Sequence, residues 1–232
     1  MSKITVRDLG VMAYDEAWEL QHTLFDAMVS AKKEHRETGD ECILIVEHPP
    51  VITLGKHAKA ANLLLSDEEL AKRGVECRRI ERGGDITFHG PGQIVMYPIL
   101  DLERHGLGVK NYVNLLEEAV IRTIAKYGII GERVDGASGV WIGKDTARER
   151  KICALGVKCS RFCTMHGLAL NVNTDLRGFS MINPCGFIDK GVTSMSVETG
   201  RDLDIAKVKS ELSSEFLKLL GENTKTAWKN RN

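Results

Sequence analysis

Two residues of this 232-residue chain have the chemistry of a group-transfer site. Cys185 stands in INPCGF, between Pro184 and Gly186. Such neighbours make a fixed turn that presents a side chain, and a cysteine thiolate is a strong nucleophile. Lys151 opens the apolar run KICALGV. An ammonium entering a buried strand costs energy unless it is paired. Each residue also has a plainer reading: a free cysteine is commonly a small buried hydrophobe, and an edge lysine can snorkel to water. The two are 34 positions apart, so only the fold can bring them together. Strand alternation puts Lys151 and Cys153 on one face, which suggests packing beside the site.

RGGDITFHGPGQ, residues 82–93, holds four glycines in 12 residues. Glycine allows a ligand to approach the backbone closely. Arg82 can pair an anionic or carbonyl oxygen, and His89 can donate or accept a proton. The alternative is a glycine-rich hairpin with a solvated arginine. A phosphate loop is excluded, since Pro50 and Ser138 stand where Gly55-Lys56 and Gly143-Lys144 would need a preceding glycine. Gly106-Leu-Gly108 is no dinucleotide fingerprint, because Asn111 replaces its third glycine. In TMHGLALNV (164–172), His166 is either a group supporting the site or a satisfied core histidine. Cys153, Cys159, Cys163 and His166 match no common zinc spacing, so no metal is expected.

These residues need a scaffold. Ala17, Leu20, Leu24, Phe25 and Met28 recur at helical spacing and predict a helix over 14–37, stopped near Gly39. Residues 42–46 and 51–54 read as strands hinged at Pro49-Pro50. Ser66 with Glu69 is a capping box opening a short helix that ends at Gly74. Strand patterns follow at 75–80, 86–88 and 94–100, then a long helix at 109–127 stopped by Gly128. Further strands are predicted at 139–142, 152–157 and 168–172, and a last helix at 204–220. Strands and helices are interspersed, which predicts a single α+β domain on a mixed sheet over 1–220, with a loose tail at 221–232.

Lys plus Arg and Asp plus Glu both count 32, so no global charge draws the chain to nucleic acid or an anionic membrane. The start MSKITVRDLG lacks the apolar core of a signal peptide, and no apolar run is long enough to span a bilayer. A cytoplasmic address and six reduced cysteines are the expectation.

RGGDITFHGPGQIVMY (82–97) resembles the signature RGGxxTxHGPGQxxxY of the lipoyl(octanoyl) transferase family at every fixed position. RKICALGVKC, TMHGLALNV and INPCG are similar to its later blocks, in the same order. The resemblance covers about residues 43–200. It implies the fold of the biotin and lipoate protein ligases: a large mixed sheet flanked by helices, with a smaller sheet. It implies that Cys185 is the nucleophile carrying the acyl thioester and Lys151 its activating partner. The implied pocket is Arg82, Gly83, Gly84, Asp85, Ile86, Thr87, Phe88 and His89, with Ala154, Leu155, Gly156, Gly167, Leu168 and Ala169.

The implied reaction moves an octanoyl group from acyl carrier protein to a lysine of lipoyl domains. The acceptors would be the 2-oxoacid dehydrogenases and the glycine cleavage H protein. Thioester exchange is nearly isoenergetic and amide formation is downhill, so no ATP or other cofactor is expected. A thiol of ordinary pKa about 8.5 is mostly protonated at neutral pH and needs a base or a cation. Six buried methylenes would contribute roughly 5 kcal/mol at roughly 0.8 kcal/mol each. The rival is an ATP-dependent lipoate or biotin protein ligase, which shares the glycines and the lysine but needs no nucleophilic thiol. Arg148, Arg150, Lys158 and Arg161, clustered in sequence, are candidate contacts for an acidic carrier protein.

Overall fold

The run Cys42-Ile-Leu-Ile-Val46 is buried at all five positions, as expected of a strand covered on both faces. It belongs to β2 (Glu41–Glu47), near one edge of a large sheet. The computed structural model describes residues 4–183 and 191–229, so Cys185 lies outside the described residues. In chain order the elements are β1 (Ile4–Val11), α1 (Tyr14–Lys33), β2, β3 (Val51–Leu54), α2 (Asp67–Lys72), β4 (Glu76–Arg79), β5 (Ile86–His89) and β6 (Gln93–Ile99). Then come α3 (Val109–Ala125), β7 (Glu132–Val134), β8 (Ala137–Ile142), β9 (Arg150–Ser160), β10 (Cys163–Asn171), β11 (Gly191–Val192), α4 (Met195–Thr199) and α5 (Ile205–Lys229).

The large sheet runs β1-β2-β6-β10-β9-β8-β7, with β11 pairing beside β9, and the small sheet runs β4-β3-β5. Both are mixed: β1 with β2, β9 with β11 and β3 with β4 are parallel, and the other pairs antiparallel. The expected α+β architecture is therefore present. One face of the large sheet packs on α3 and α5 through the main core, including Leu116, Val120, Phe216, Ile152 and Leu170. The other face receives α1, with Ala17 against Leu44, Val95 and Ala169. Phe25 and Met28 extend that contact to Met165. The predicted capping box is formed: Glu69 N–H donates to Ser66 Oγ at 3.3 Å, and Ser66 N–H to Glu69 Oε2 at 2.9 Å.

Three strands, β1, β7 and β11, carry no clear pattern in the sequence. They are short or lie at sheet edges, where one-sided burial leaves polar residues such as Arg7 and Asp8 in place. The last helix continues past Leu220, where the sequence pattern ends it, to Lys229.

Candidate active site

Lys151 owes its direction to a bulge. Val140 faces Cys153 and Trp141 faces Lys151, so Ile152 is an extra residue in β9. Ile152 and Cys153 both enter the core beneath α3 and α5. Lys151 is thereby set on the opposite face with Ala154 and Gly156, lining a cavity of about 440 Å³. The expectation that Lys151 and Cys153 share a face fails here, because an inserted residue resets the two-residue alternation. Lys151 Nζ stands 4.5 Å from the centre of the Trp141 ring. Such a cation–π contact contributes about 0.5–2 kcal/mol and fixes the half-buried ammonium at the cavity wall.

The cavity floor is made of small residues. Ala154 pairs with Ala169 and Gly156 with Gly167 across β9 and β10. The 82–84 segment folds over this floor, with Gly83 N–H donating to Val157 O at 3.0 Å. A Cβ at Gly156 would lie 2.6 Å from Gly83 O and 3.0 Å from Arg82 Cδ, so only glycine permits this crossing. Gly84 has φ +88, a left-handed conformation that side chains oppose.

Of the residues implied by the sequence, Arg82, Gly84, Asp85, Ile86, Thr87, His89, Lys151, Ala154, Leu155, Gly156, Gly167, Leu168 and Ala169 line this one cavity. Gly83 and Phe88 do not. Gly83 anchors the loop, and Phe88 packs against Phe179 at 5.5 Å in the small-sheet core. Asp85 braces a neighbouring loop, accepting from Lys59 N–H at 3.3 Å and Asn62 Nδ2 at 2.6 Å. The sequence reading did not select Tyr14, Gln93, Val95, Tyr97, Trp141 and Asn171, which also line the cavity. Tyr97 closes the quoted signature block. Gln93 and Val95 lie inside the same block and Asn171 inside TMHGLALNV, while Tyr14 and Trp141 are cavity-facing members of elements otherwise read as structural.

A hydrogen-bonded chain ties the glycine-rich segment to the lysine strand. The Arg82 guanidinium donates to Thr53 Oγ1 at 3.0 Å, Thr53 O at 2.7 Å and Gly83 O at 3.0 Å. These bonds fix the guanidinium at the cavity wall. The Thr53 hydroxyl reaches His89 Nε2 at 3.3 Å, and His89 Nδ1 meets Gln93 Oε1 at 2.7 Å. Gln93 Nε2 donates to Phe88 O and Asn171 Oδ1. Its Oε1 must then accept, which assigns the proton of neutral His89 to Nδ1 and leaves Nε2 accepting from Thr53. Asn171 Nδ2 donates to Thr193 O at 3.0 Å, and Thr193 N–H to Lys151 O at 2.9 Å.

Burial holds these groups neutral. His89 is pushed down to about 3 and His48 to about 4, each mainly by desolvation. His48 Nε2 meets the Tyr97 hydroxyl at 2.9 Å, and its Nδ1 meets Met12 O at 2.9 Å. Burial raises Tyr14 and Tyr97 well above the phenol range. Cys153 is likewise raised, which makes it an inert thiol. Among the described residues, no three His, Cys, Asp or Glu side chains converge on a metal position.

The four basic residues do not form one patch. Arg150 is clamped to Glu198 at 2.7 and 2.5 Å, and Lys158 meets Glu81 at 3.2 Å. Eight residues, less the bulge, separate them along β9, about 23 Å. Arg148 and Arg161 are exposed.

Residues 13–217 match the family model described as the lipoyl protein ligase A/B catalytic domain. The chain is 55% identical over 218 residues to the octanoyltransferase of Bacteroides fragilis strain YCH46, covering 94% of this chain and 98% of that protein. Its fold is similar to the structure of the bi-partite lipoate protein ligase and its E2 lipoyl domain from Thermoplasma acidophilum. That match has a TM-score of 0.67 and 15% identity, and covers 99% of this chain and 91% of the other. It is also similar to biotin protein ligase from Aquifex aeolicus, with a TM-score of 0.53, 14% identity, and coverage of 99% and 74%.

Proposed function

The chain belongs to the lipoyl protein ligase A/B catalytic domain family, and on that premise we propose that it moves an octanoyl group from acyl carrier protein, through Cys185, to a lysine of lipoyl domains. It is an acyltransferase, as its octanoyltransferase relatives are named. The reading places it in the cytoplasm, in the step that supplies octanoyl groups for lipoate biosynthesis. Among the described residues, no helix is long and apolar enough to cross a membrane.

The observation that carries this reading is Lys151, turned by the β9 bulge onto the wall of a cavity floored by Ala154, Gly156, Gly167 and Ala169. β11 adds support, since Val192 lies in register with Lys151 and both line that cavity. In the proposed first step Lys151, as the free amine, takes the Cys185 proton and becomes the ammonium that its contact with the Trp141 ring favours, and the thiolate attacks the octanoyl thioester. The carbonyl–sulfur bond to the carrier breaks, and the carrier thiolate takes the proton back. In the second step the acceptor lysine, as free amine, attacks the Cys185 thioester. An amide forms, Cys185 leaves as thiolate, and Lys151 relays the amine's proton to it. A lysine can give up its proton, which suits both steps.

The ligase fold is common to both transferase and ligase readings, so the fold does not separate them. Intact mass does. Mixed with octanoyl acyl carrier protein in the absence of ATP, the protein should gain one octanoyl group, and Cys185→Ala should gain none. A Cys185→Ala variant that still transfers octanoyl would refute the covalent route. Transfer from free octanoate that depends on ATP would establish the ligase reading instead.

A further inference from the structure

Helix α3 carries a buried carboxylate that the acyl-transfer steps do not use. Glu117 is 5% exposed, and its helix neighbours Leu116 and Val120 belong to the main core. A carboxylate in such surroundings is costly unless charge and hydrogen bonds satisfy it. Two groups do so. Arg133 Nε donates to Glu117 Oε2 at 3.1 Å, and the Gly139 N–H donates to Glu117 Oε1 at 3.0 Å. The first bond is an ion pair with a half-exposed arginine. The second reaches into β8, the strand that flanks the lysine.

Gly139 precedes Val140, the β8 residue at which register with β9 begins, beside the bulge at Ile152. Its φ is +118, a conformation closed to side chains, and a Cβ there would run into Cys153 O. The lysine lies against this bend. The same Cβ position is 3.5 Å from both Cδ and Cε of Lys151. Two residues on, the Trp141 ring takes Lys151 Nζ at 4.5 Å, and Trp141 Nε1 is held by Ala137 O at 3.1 Å. The lysine stem therefore runs in a groove of β8, between the bare Gly139 backbone and the Trp141 indole. Outside β8 there is only the three-residue β7, so pairing gives this strand little support from its outer side. Resting on the reading in which Lys151 moves the proton, we propose that Glu117 is a positioning residue for that lysine. By holding the Gly139 N–H from α3, the carboxylate keeps β8 bent. The bend directs the stem along Gly139 and sets the nitrogen over Trp141, while Arg133 balances the charge. Without that bond Gly139 regains the conformational freedom of glycine, and the groove loses its fixed wall.

Arg133 separates this role from that of a plain ion pair. Glu117→Leu removes both bonds. Arg133→Leu removes only the charge pair, because even a protonated carboxyl keeps a carbonyl oxygen for Gly139. Single-turnover acylation of the full chain by octanoyl acyl carrier protein, without ATP, is read by intact mass over a range of donor concentrations. Glu117→Leu should lower the maximal rate at least about tenfold, as misplacement of a reacting group does, with half-saturation within about twofold of the parent. Arg133→Leu should lower the urea midpoint yet keep the maximal rate within about threefold. Lys151 also has a spectroscopic signature. In protein carrying carbon-13-labelled lysine, the Trp141 ring current moves the Lys151 ε-methylene resonance upfield. That displacement should vanish in Glu117→Leu and persist in Arg133→Leu. Where Glu117→Leu does not fold, Glu117→Asp decides: it keeps the charge, draws it back from Gly139 by one bond of about 1.5 Å, and should slow acylation at least about fivefold. Folded Glu117 variants acylated at the parent rate, or an Arg133→Leu as slow as Glu117→Leu, overturn the assignment of Glu117 while leaving the thioester reading intact. An unmodified protein that gains no octanoyl group overturns that underlying reading.

Discussion

Gly156→Ala tests the crossing of the glycine-rich segment over β9 with a single methyl group. The new Cβ would meet Gly83 O at 2.6 Å, a backbone atom with no rotamer to yield. The segment is also held from behind. Lys56 N–H donates to Arg82 O at 3.0 Å, His57 N–H to Gly84 O at 3.1 Å and Gly55 N–H to Asp85 O at 2.9 Å. Relief must come from lifting Gly83 off the strand, which breaks its bond to Val157 O. Overpacking costs about 1–3 kcal/mol and the lost hydrogen bond about 1 kcal/mol, so the variant should be about 2–4 kcal/mol less stable. For a chain of this size that lowers Tm by about 4–16 °C. Differential scanning calorimetry gives the stability, and intact mass after octanoyl carrier protein gives the acylation, which should fall with it. A Tm within about 1 °C of the parent, with normal acylation, would refute the argued closeness of the two segments.

Lys151→Arg should fold and keep its charge, yet slow single-turnover acylation by about 100-fold or more, since guanidinium cannot give up its proton. An arginine variant as fast as the parent would reduce Lys151 to a charge partner. Acid should destabilise the fold through His48 and His89, whose folded values of about 4 and about 3 lie below the ordinary 6.5. Above pH 6.5 both states are neutral, and below it the unfolded chain binds the protons first. Stability should therefore fall with a slope approaching about 1.4 kcal/mol per pH unit for each ring, about 3 kcal/mol in all between pH 6.5 and 5. Urea midpoints that stay flat over that window would contradict it. Gly221→Ala should raise stability by about 0.5–1 kcal/mol with unchanged activity, because its Cβ meets nothing within 4 Å inside α5. An unchanged or lowered urea midpoint would count against it.

The sequence by itself determined the class of fold and most of the cavity. Helical spacing from Ala17 to Met28 and the unbroken run at 42–46 depend on local periodicity, and they appear as α1 and β2. The signature block carried Arg82, Gly84 and His89 to the cavity, because a glycine-rich crossing needs its residue types wherever the fold puts it. What the sequence could not decide was direction. Alternation assigns Lys151 to the same face as Cys153, and only the pairing of β8 with β9 shows Ile152 as the extra residue that reverses it. His166 is the same case: its left-handed backbone depends on Gln21, 145 residues earlier, holding its N–H. A strand's period is a property of the strand, but a bulge or a turned residue is set by the partners across it. Those partners come from distant parts of the chain, and only the tertiary structure brings them alongside.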